Sequence, residues 1–126
     1  MEEMSIKPQY TYKASVVKVV DGDTLDVVID LGFFVSVKQR VRLDGINTPE
    51  TRTKNLREKE LGLKAKQLVK DKVEGKDITV RVYKKGKFGR YLCDVILEDE
   101  TILNNLLVER KLAKEYHGES RKNIKW

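Results

Sequence analysis

The run Val41-Arg42-Leu43-Asp44-Gly45-Ile46-Asn47-Thr48-Pro49-Glu50 crowds a guanidinium, an amide, a hydroxyl and a carboxylate together. It begins as a strand, with Val41 and Leu43 alternating against Arg42 and Asp44. Gly45 then loosens the backbone and Pro49 forbids further ladder pairing. A core strand has no need of such an ending, whereas a site handling a phosphate and a metal ion does. Two shorter stretches could join it: Val20-Asp21-Gly22-Asp23-Thr24 and Gly89-Arg90.

Phosphodiester hydrolysis needs positive charge on the five-coordinate phosphate, a positioned water and a base for that water. Arg42 and Arg90 can supply planar, bidentate donors to phosphate. Glu50 can take the proton from water. Asp23, the Asn47 side-chain oxygen and a backbone carbonyl near Thr48 would form an oxygen-only set, suited to Ca²⁺ or Mg²⁺ rather than zinc. Each residue also has a plainer reading. Asp21-Gly22 is an ordinary hairpin turn and Asp23-Thr24 local turn capping. Arg42 and Arg90 are solvated charges, Asp44 a solvent-face residue and Thr48-Pro49-Glu50 a strand exit. Phe88 and Tyr116, which could stack on bases, pack, and His117 is solvated.

The elements that must position these groups follow from periodicity. Tyr10 to Val20 is strand-like, with Tyr10, Tyr12, Ala14 and Val16 on one face. Thr24 to Leu31 alternates with Leu25, Val27, Ile29 and Leu31 inward. After a turn at Gly32, Phe33 to Leu43 places Val35, Val37, Val41 and Leu43 inward, and Ser36, Lys38, Arg40 and Arg42 outward. Thr51 to Lys54 reads as a mobile loop. Asn55 and Glu58 form a capping signature for a helix carrying Leu61, Ala65, Leu68, Val69 and Val73, ended by Gly75. Strands over Asp77–Tyr83 and Tyr91–Leu97 flank a basic turn, residues 84–90, and Ile102 to about Leu112 forms a second helix. Five short strands with a helix between the third and fourth predict an α+β, mainly β, five-stranded OB-fold Greek-key barrel with two or three helices. Residues 1–9 are a lead-in, 10–114 the domain and 115–126 a tail.

The chain has 126 residues and a net charge of +6, which suits one domain and a polyanionic partner. Cys93 is the lone cysteine, in an apolar run, and reads as a buried small hydrophobe. A disulfide framework and a cysteine zinc site are thereby excluded within one chain. With His117 the lone histidine, histidine-driven nucleophilic catalysis has little to work with. The acidic Met1-Glu2-Glu3-Met4-Ser5 start lacks the apolar stretch of a signal peptide, and no apolar run is long enough to span a membrane, so a cytoplasmic location is expected.

The sequence resembles the staphylococcal (thermo)nuclease family of Ca²⁺-dependent phosphodiesterases, the SNase-like domain. Val20-Asp21-Gly22-Asp23-Thr24, Arg42-Leu43 through Thr48-Pro49-Glu50, and Gly89-Arg90-Tyr91-Leu92 carry the resemblance. Leu106-Leu107-Val108 with Leu112-Ala113-Lys114 adds a weaker block. By position, the resemblance implies Asp23 as a metal carboxylate, Arg42 and Arg90 as the phosphate arginines, and Glu50 as general base. It implies a metal-bound backbone carbonyl at Thr48, and Lys87 and Phe88 as substrate-approaching residues. It further implies an OB barrel that cleaves single-stranded DNA or RNA, endo- or exonucleolytically, with little sequence preference. Asn47 stands where the family often has a metal-binding aspartate. Asn keeps an oxygen and loses a charge, so a hard cation is expected to bind more weakly, and Mn²⁺ or Mg²⁺ become alternatives to Ca²⁺. The tail after Lys114 is too short for a long C-terminal helix to be expected. The expectation is a monomeric metal-dependent nuclease. Its rivals are a catalytically silent OB-fold nucleic-acid-binding module and a protein-interaction domain that keeps only the fold.

Overall fold

The structure is a computed structural model and describes residues 9–85, 90–117 and 124–126. Strands β1 (Thr11–Asp21), β2 (Thr24–Gly32) and β3 (Val35–Leu43) form an antiparallel meander. A short β4 (Ile46–Asn47) precedes helix α1 (Leu56–Val73), which carries the chain across to β5 (Asp77–Lys85) and β6 (Tyr91–Ile96). Helix α2 (Leu103–Glu109) and a short β7 (Lys114–Glu115) follow. Because the chain crosses over through α1, β6 runs parallel to β3, pairing Val41 with Tyr91, Arg42 with Leu92 and Leu43 with Cys93. Strand β5 returns antiparallel to β1, and the sheet closes in the order β1-β2-β3-β6-β5. This is the expected five-stranded barrel with two helices.

The inward set is the one that period two predicts. Val16, Leu25, Val27, Val41, Leu43, Val80 and Val95 are fully buried. A register shift between Val16 and Lys18 passes the inward position to Val19 and leaves Val17 60% exposed. Helix α1 covers one side of the barrel with Ala65, Val69 and Val73, and α2 another with Leu103 and Leu107. The Asn55 side chain accepts the Glu58 backbone N–H at 3.1 Å, so the capping signature starts α1 where expected. Among the described residues no helix is long and apolar enough to cross a membrane.

Several expectations give way at the ends of elements. Leu31 and Val35 are expected inward but are 43% and 51% exposed, and Phe33 and Phe34 are the turn rather than the start of β3. The cause is the length of the β2–β3 hairpin. Strand β1 pairs with β2 only from Ala14–Ile29 onward and β6 with β3 only from Val41, so the hairpin's outer part has no described strand to bury against. Asp21 belongs to β1, and the first hairpin turns on Gly22–Asp23. Strand β6 stops at Ile96 rather than Leu97, and α2 at Glu109 rather than Leu112. Asp44 is half-buried rather than solvent-facing, because its N–H donates to Cys93 O at 2.8 Å and its carbonyl accepts from Asn104 Nδ2 at 2.9 Å.

Candidate active site

Asp23 sits in the tight turn between β1 and β2, and both of its carboxylate oxygens are engaged. Thr24 Oγ1 donates to Oδ1 at 3.0 Å, and the Thr48 N–H donates to Oδ2 at 3.1 Å. Arg42 Nη2 lies 3.5 Å from Oδ2. The Asp23 backbone carbonyl accepts the Leu43 N–H at 2.9 Å, which ties this turn to the end of β3. Thr24 and Arg42 are cross-strand partners, so the β2–β3 register itself brings the carboxylate and the guanidinium together.

Arg42 projects from the outer face of the barrel, as the alternation requires, yet it is only 7% exposed rather than solvated. Later parts of the chain cover it. Nη2 donates to Asn47 Oδ1 at 2.9 Å and to Ile46 O at 3.2 Å. The Tyr116 ring lies 5.2 Å from Cζ, within cation–π range. Strand β7 holds that ring in place by pairing with β4, and the Tyr116 N–H donates to Gly45 O at 2.9 Å. A buried guanidinium is tolerated only when paired and hydrogen-bonded, and both conditions are met here.

Backbone geometry sets Glu50. Thr48 and Pro49 are buried and Glu50 is exposed, two residues beyond the N–H that holds Asp23. Helix α1 passes so close that a Cβ at Gly62 would stand 2.7 Å from both Pro49 O and Glu50 O. At Gly22 a Cβ would meet the Ala65 Cβ at 3.0 Å and Thr48 Cγ2 at 3.1 Å. One face of α1 thus fixes both the turn carrying Asp23 and the segment carrying Glu50. Thr51 Oγ1 adds a 2.7 Å bond to Asp21 Oδ1. Arg90 is half-buried at the entry to β6, directly before Tyr91, which pairs with Val41. It therefore enters beside the end of β3 that carries Arg42. Lys87 and Phe88 lie outside the described residues.

The arrangement brings Asp23, Arg42, Asn47 and Thr48 into direct contact, and places Glu50 and Arg90 through the backbone of neighbouring elements. Among the described residues no three acidic, histidine or cysteine side chains cluster to hold a metal. Asp23 Oδ2 and Asn47 Oδ1 lie 3.5 and 2.9 Å from the same Arg42 nitrogen. Both are hard oxygens, the donor type that a hard divalent cation takes, with one formal carboxylate between them. Cys93, on β6 behind the site, is no nucleophile: burial, aided by Asp94 and Asp44, pushes its thiol up to about 12. Sequence reasoning left Tyr116 as ordinary packing and Thr51 in a loop, and passed over Gly62, because only the folded contacts tie them to the site.

Comparison with known proteins follows this geometry. Residues 40–125 match the family described as staphylococcal nuclease homologue. The chain is 31% identical over 117 residues to an uncharacterized protein of Bacillus anthracis, covering 90% of this chain and 49% of that one. It is 30% identical over 101 residues to an uncharacterized endonuclease of Escherichia coli O157:H7, covering 80% of this chain and 59% of that one. An uncharacterized protein of Methanocaldococcus jannaschii is 32% identical over 118 residues, with 76% and 52% covered. The chain therefore spans about half to three-fifths of the length of these relatives.

Proposed function

The chain belongs to the staphylococcal nuclease family, and from that premise we propose that it is a metal-dependent phosphodiesterase acting on single-stranded DNA or RNA. A relative named as an endonuclease supports hydrolase chemistry on nucleic acid. The observation that carries the reading is the buried Arg42, held by Asn47, Ile46 and Tyr116 beside the Asp23 carboxylate. A guanidinium fixed in this way costs little reorganisation when charge builds on a phosphate.

In this reading Arg42 and Arg90 grip the non-bridging phosphate oxygens through their planar forks. The Glu50 carboxylate takes a proton from water as its oxygen attacks phosphorus. The bond from phosphorus to the leaving sugar oxygen breaks, and that oxygen is protonated from solvent. Asp23, Asn47 Oδ1 and the Thr48 carbonyl would hold Ca²⁺, which supplies charge neutralisation and lowers the pKa of a bound water. In this reading residues 10–114 act as one monomeric domain, and Lys87 and Phe88 keep the substrate-binding role that the family resemblance gives their positions.

One observation favours a silent binding module instead. Asn47, the second metal ligand, brings no charge, and its oxygen is already bonded to Arg42. The test is cleavage of denatured DNA in Ca²⁺, Mg²⁺, Mn²⁺ and EDTA, by the wild type and by Asn47→Asp. Cleavage that needs a divalent ion, with half-maximal Ca²⁺ falling about tenfold or more in Asn47→Asp, is expected because carboxylate count tunes Ca²⁺ affinity. Salt-sensitive DNA binding without cleavage in any metal would establish the silent module.

A further inference from the structure

The segment that carries Glu50 is tied at both ends to one hairpin turn. Two residues before Glu50, the Thr48 N–H donates to Asp23 Oδ2 at 3.1 Å. One residue after it, Thr51 Oγ1 donates to Asp21 Oδ1 at 2.7 Å. The two acceptors flank Gly22, where a Cβ would stand 3.1 Å from Thr48 Cγ2 and 3.2 Å from Thr48 Oγ1. Asp21 lies at the end of β1 rather than in the turn, and its carboxylate serves a residue 30 positions further along the chain.

The bonds on either side of Glu50 do different things. Upstream, the Thr48 bond, the fixed φ of Pro49 and the close pass of α1 at Gly62 hold the backbone as far as the Glu50 carbonyl. Downstream, Arg52 and Lys54 are exposed, and the half-buried Thr51 is the anchor. A hydroxyl held by a carboxylate at 2.7 Å has the length of a charge-assisted bond. Threonine is stiff about χ1, so fixing its Oγ1 also restrains its backbone, and with it the peptide that leaves Glu50.

We propose that Thr51 is a positioning residue for the Glu50 carboxylate, acting through its bond to Asp21. The inference rests on reading Glu50 as the general base. Thr51 touches no reacting atom. It sets the reach of the carboxylate toward the attacking water, so it acts on the rate of cleavage and leaves the arginine grip on phosphate as it is.

The test is a double-mutant cycle in the full chain. Thr51→Val keeps the shape and removes the donor, whereas Thr51→Ser keeps the donor. Single-turnover cleavage of single-stranded DNA at saturating Ca²⁺ would follow both, together with Glu50→Gln and the double variant Thr51→Val with Glu50→Gln. Thr51→Val should cleave about tenfold or more slowly with unchanged DNA affinity, because small misplacements of a catalytic group are costly. Thr51→Ser should cleave like the wild type. In the Glu50→Gln background Thr51→Val should add no further loss, since the group through which it acts is gone. Amide hydrogen exchange gives a readout without cleavage: the amides of residues 50–53 should exchange faster in Thr51→Val and not in Thr51→Ser. A wild-type rate in Thr51→Val beside a slow Glu50→Gln would overturn this inference alone. So would losses that multiply in the double variant, which mark a general structural role, or unchanged exchange in Thr51→Val. A wild-type rate in Glu50→Gln overturns the general-base reading itself, and the catalytic role of Thr51 falls with it.

Discussion

At the scale of single residues, Arg42 shows how a strand pattern and a site can share one position. Alternation places it on the outer face of the barrel, where a solvated charge is the ordinary outcome. Its 7% exposure comes instead from Tyr116 and from the Ile46–Asn47 segment. The identity of the arginine was legible in the sequence. Its burial was not, because Tyr116 arrives from a distant segment through the pairing of β4 with β7. The same barrel wall sets Cys93. Burial pushes its thiol up to about 12, against ~8.5 for an unfolded chain. The folded state therefore keeps a proton that the unfolded chain releases between those values. The stabilisation is complete below the unfolded pKa and is lost as pH rises toward the folded one. Denaturation midpoints should fall from about pH 8.5 upward, and Cys93→Ala, less stable throughout, should show a shallower fall. Equal slopes for the two proteins would refute the buried-thiol account.

At the scale of elements, periodicity revealed the five barrel strands and both helices, and capping chemistry revealed the start of α1. What stayed illegible was short or atypical. Strands β4 and β7 are two residues each, too short to show any period. The β2–β3 turn falls on Phe33 and Phe34, residues that favour strands, and Gly32 beside them gives a competing turn signal. Both phenylalanines have left-handed φ, 55° and 61°, the geometry that favours Asn-Gly in a two-residue hairpin. Phe33→Asn with Phe34→Gly should raise stability by about 1–2 kcal/mol, measured by denaturant unfolding, with cleavage unchanged. A loss of stability would show that the exposed rings hold the hairpin together. Helix α1 gives the opposite case. Alanine is favoured over glycine by ~1 kcal/mol within a helix. At Gly62 that gain should be forfeited, because the new Cβ would press on Pro49 O and Glu50 O at 2.7 Å. Gly62→Ala should lower kcat on the order of a hundredfold by displacing Glu50, while Leu63→Ala, at an exposed position of the same helix, should leave it unchanged. Wild-type kcat in Gly62→Ala would remove α1 as the element that positions Glu50.

At the scale of the whole molecule, the closed barrel accounts for the placement of residues from four separate segments. The first hairpin turn brings Asp23, the end of β3 brings Arg42, the exit past β4 brings Asn47, Thr48 and Glu50, and the parallel β3–β6 contact brings Arg90. Strand register fixes Arg42 and Asn47, a tight turn holds Asp23, and the close pass of α1 holds the backbone of Glu50. The barrel order was legible from the sequence as a count of strands, but the closure of β5 on β1 is a tertiary fact. The central claim is that this assembly cleaves phosphodiesters with Glu50 as the base. Single-turnover cleavage of an end-labelled single-stranded DNA in Ca²⁺, by the wild type and by Glu50→Gln at equal folded concentration, tests it most directly. The account predicts a rate loss of about a hundredfold or more in Glu50→Gln, with substrate binding retained. Equal rates would contradict it.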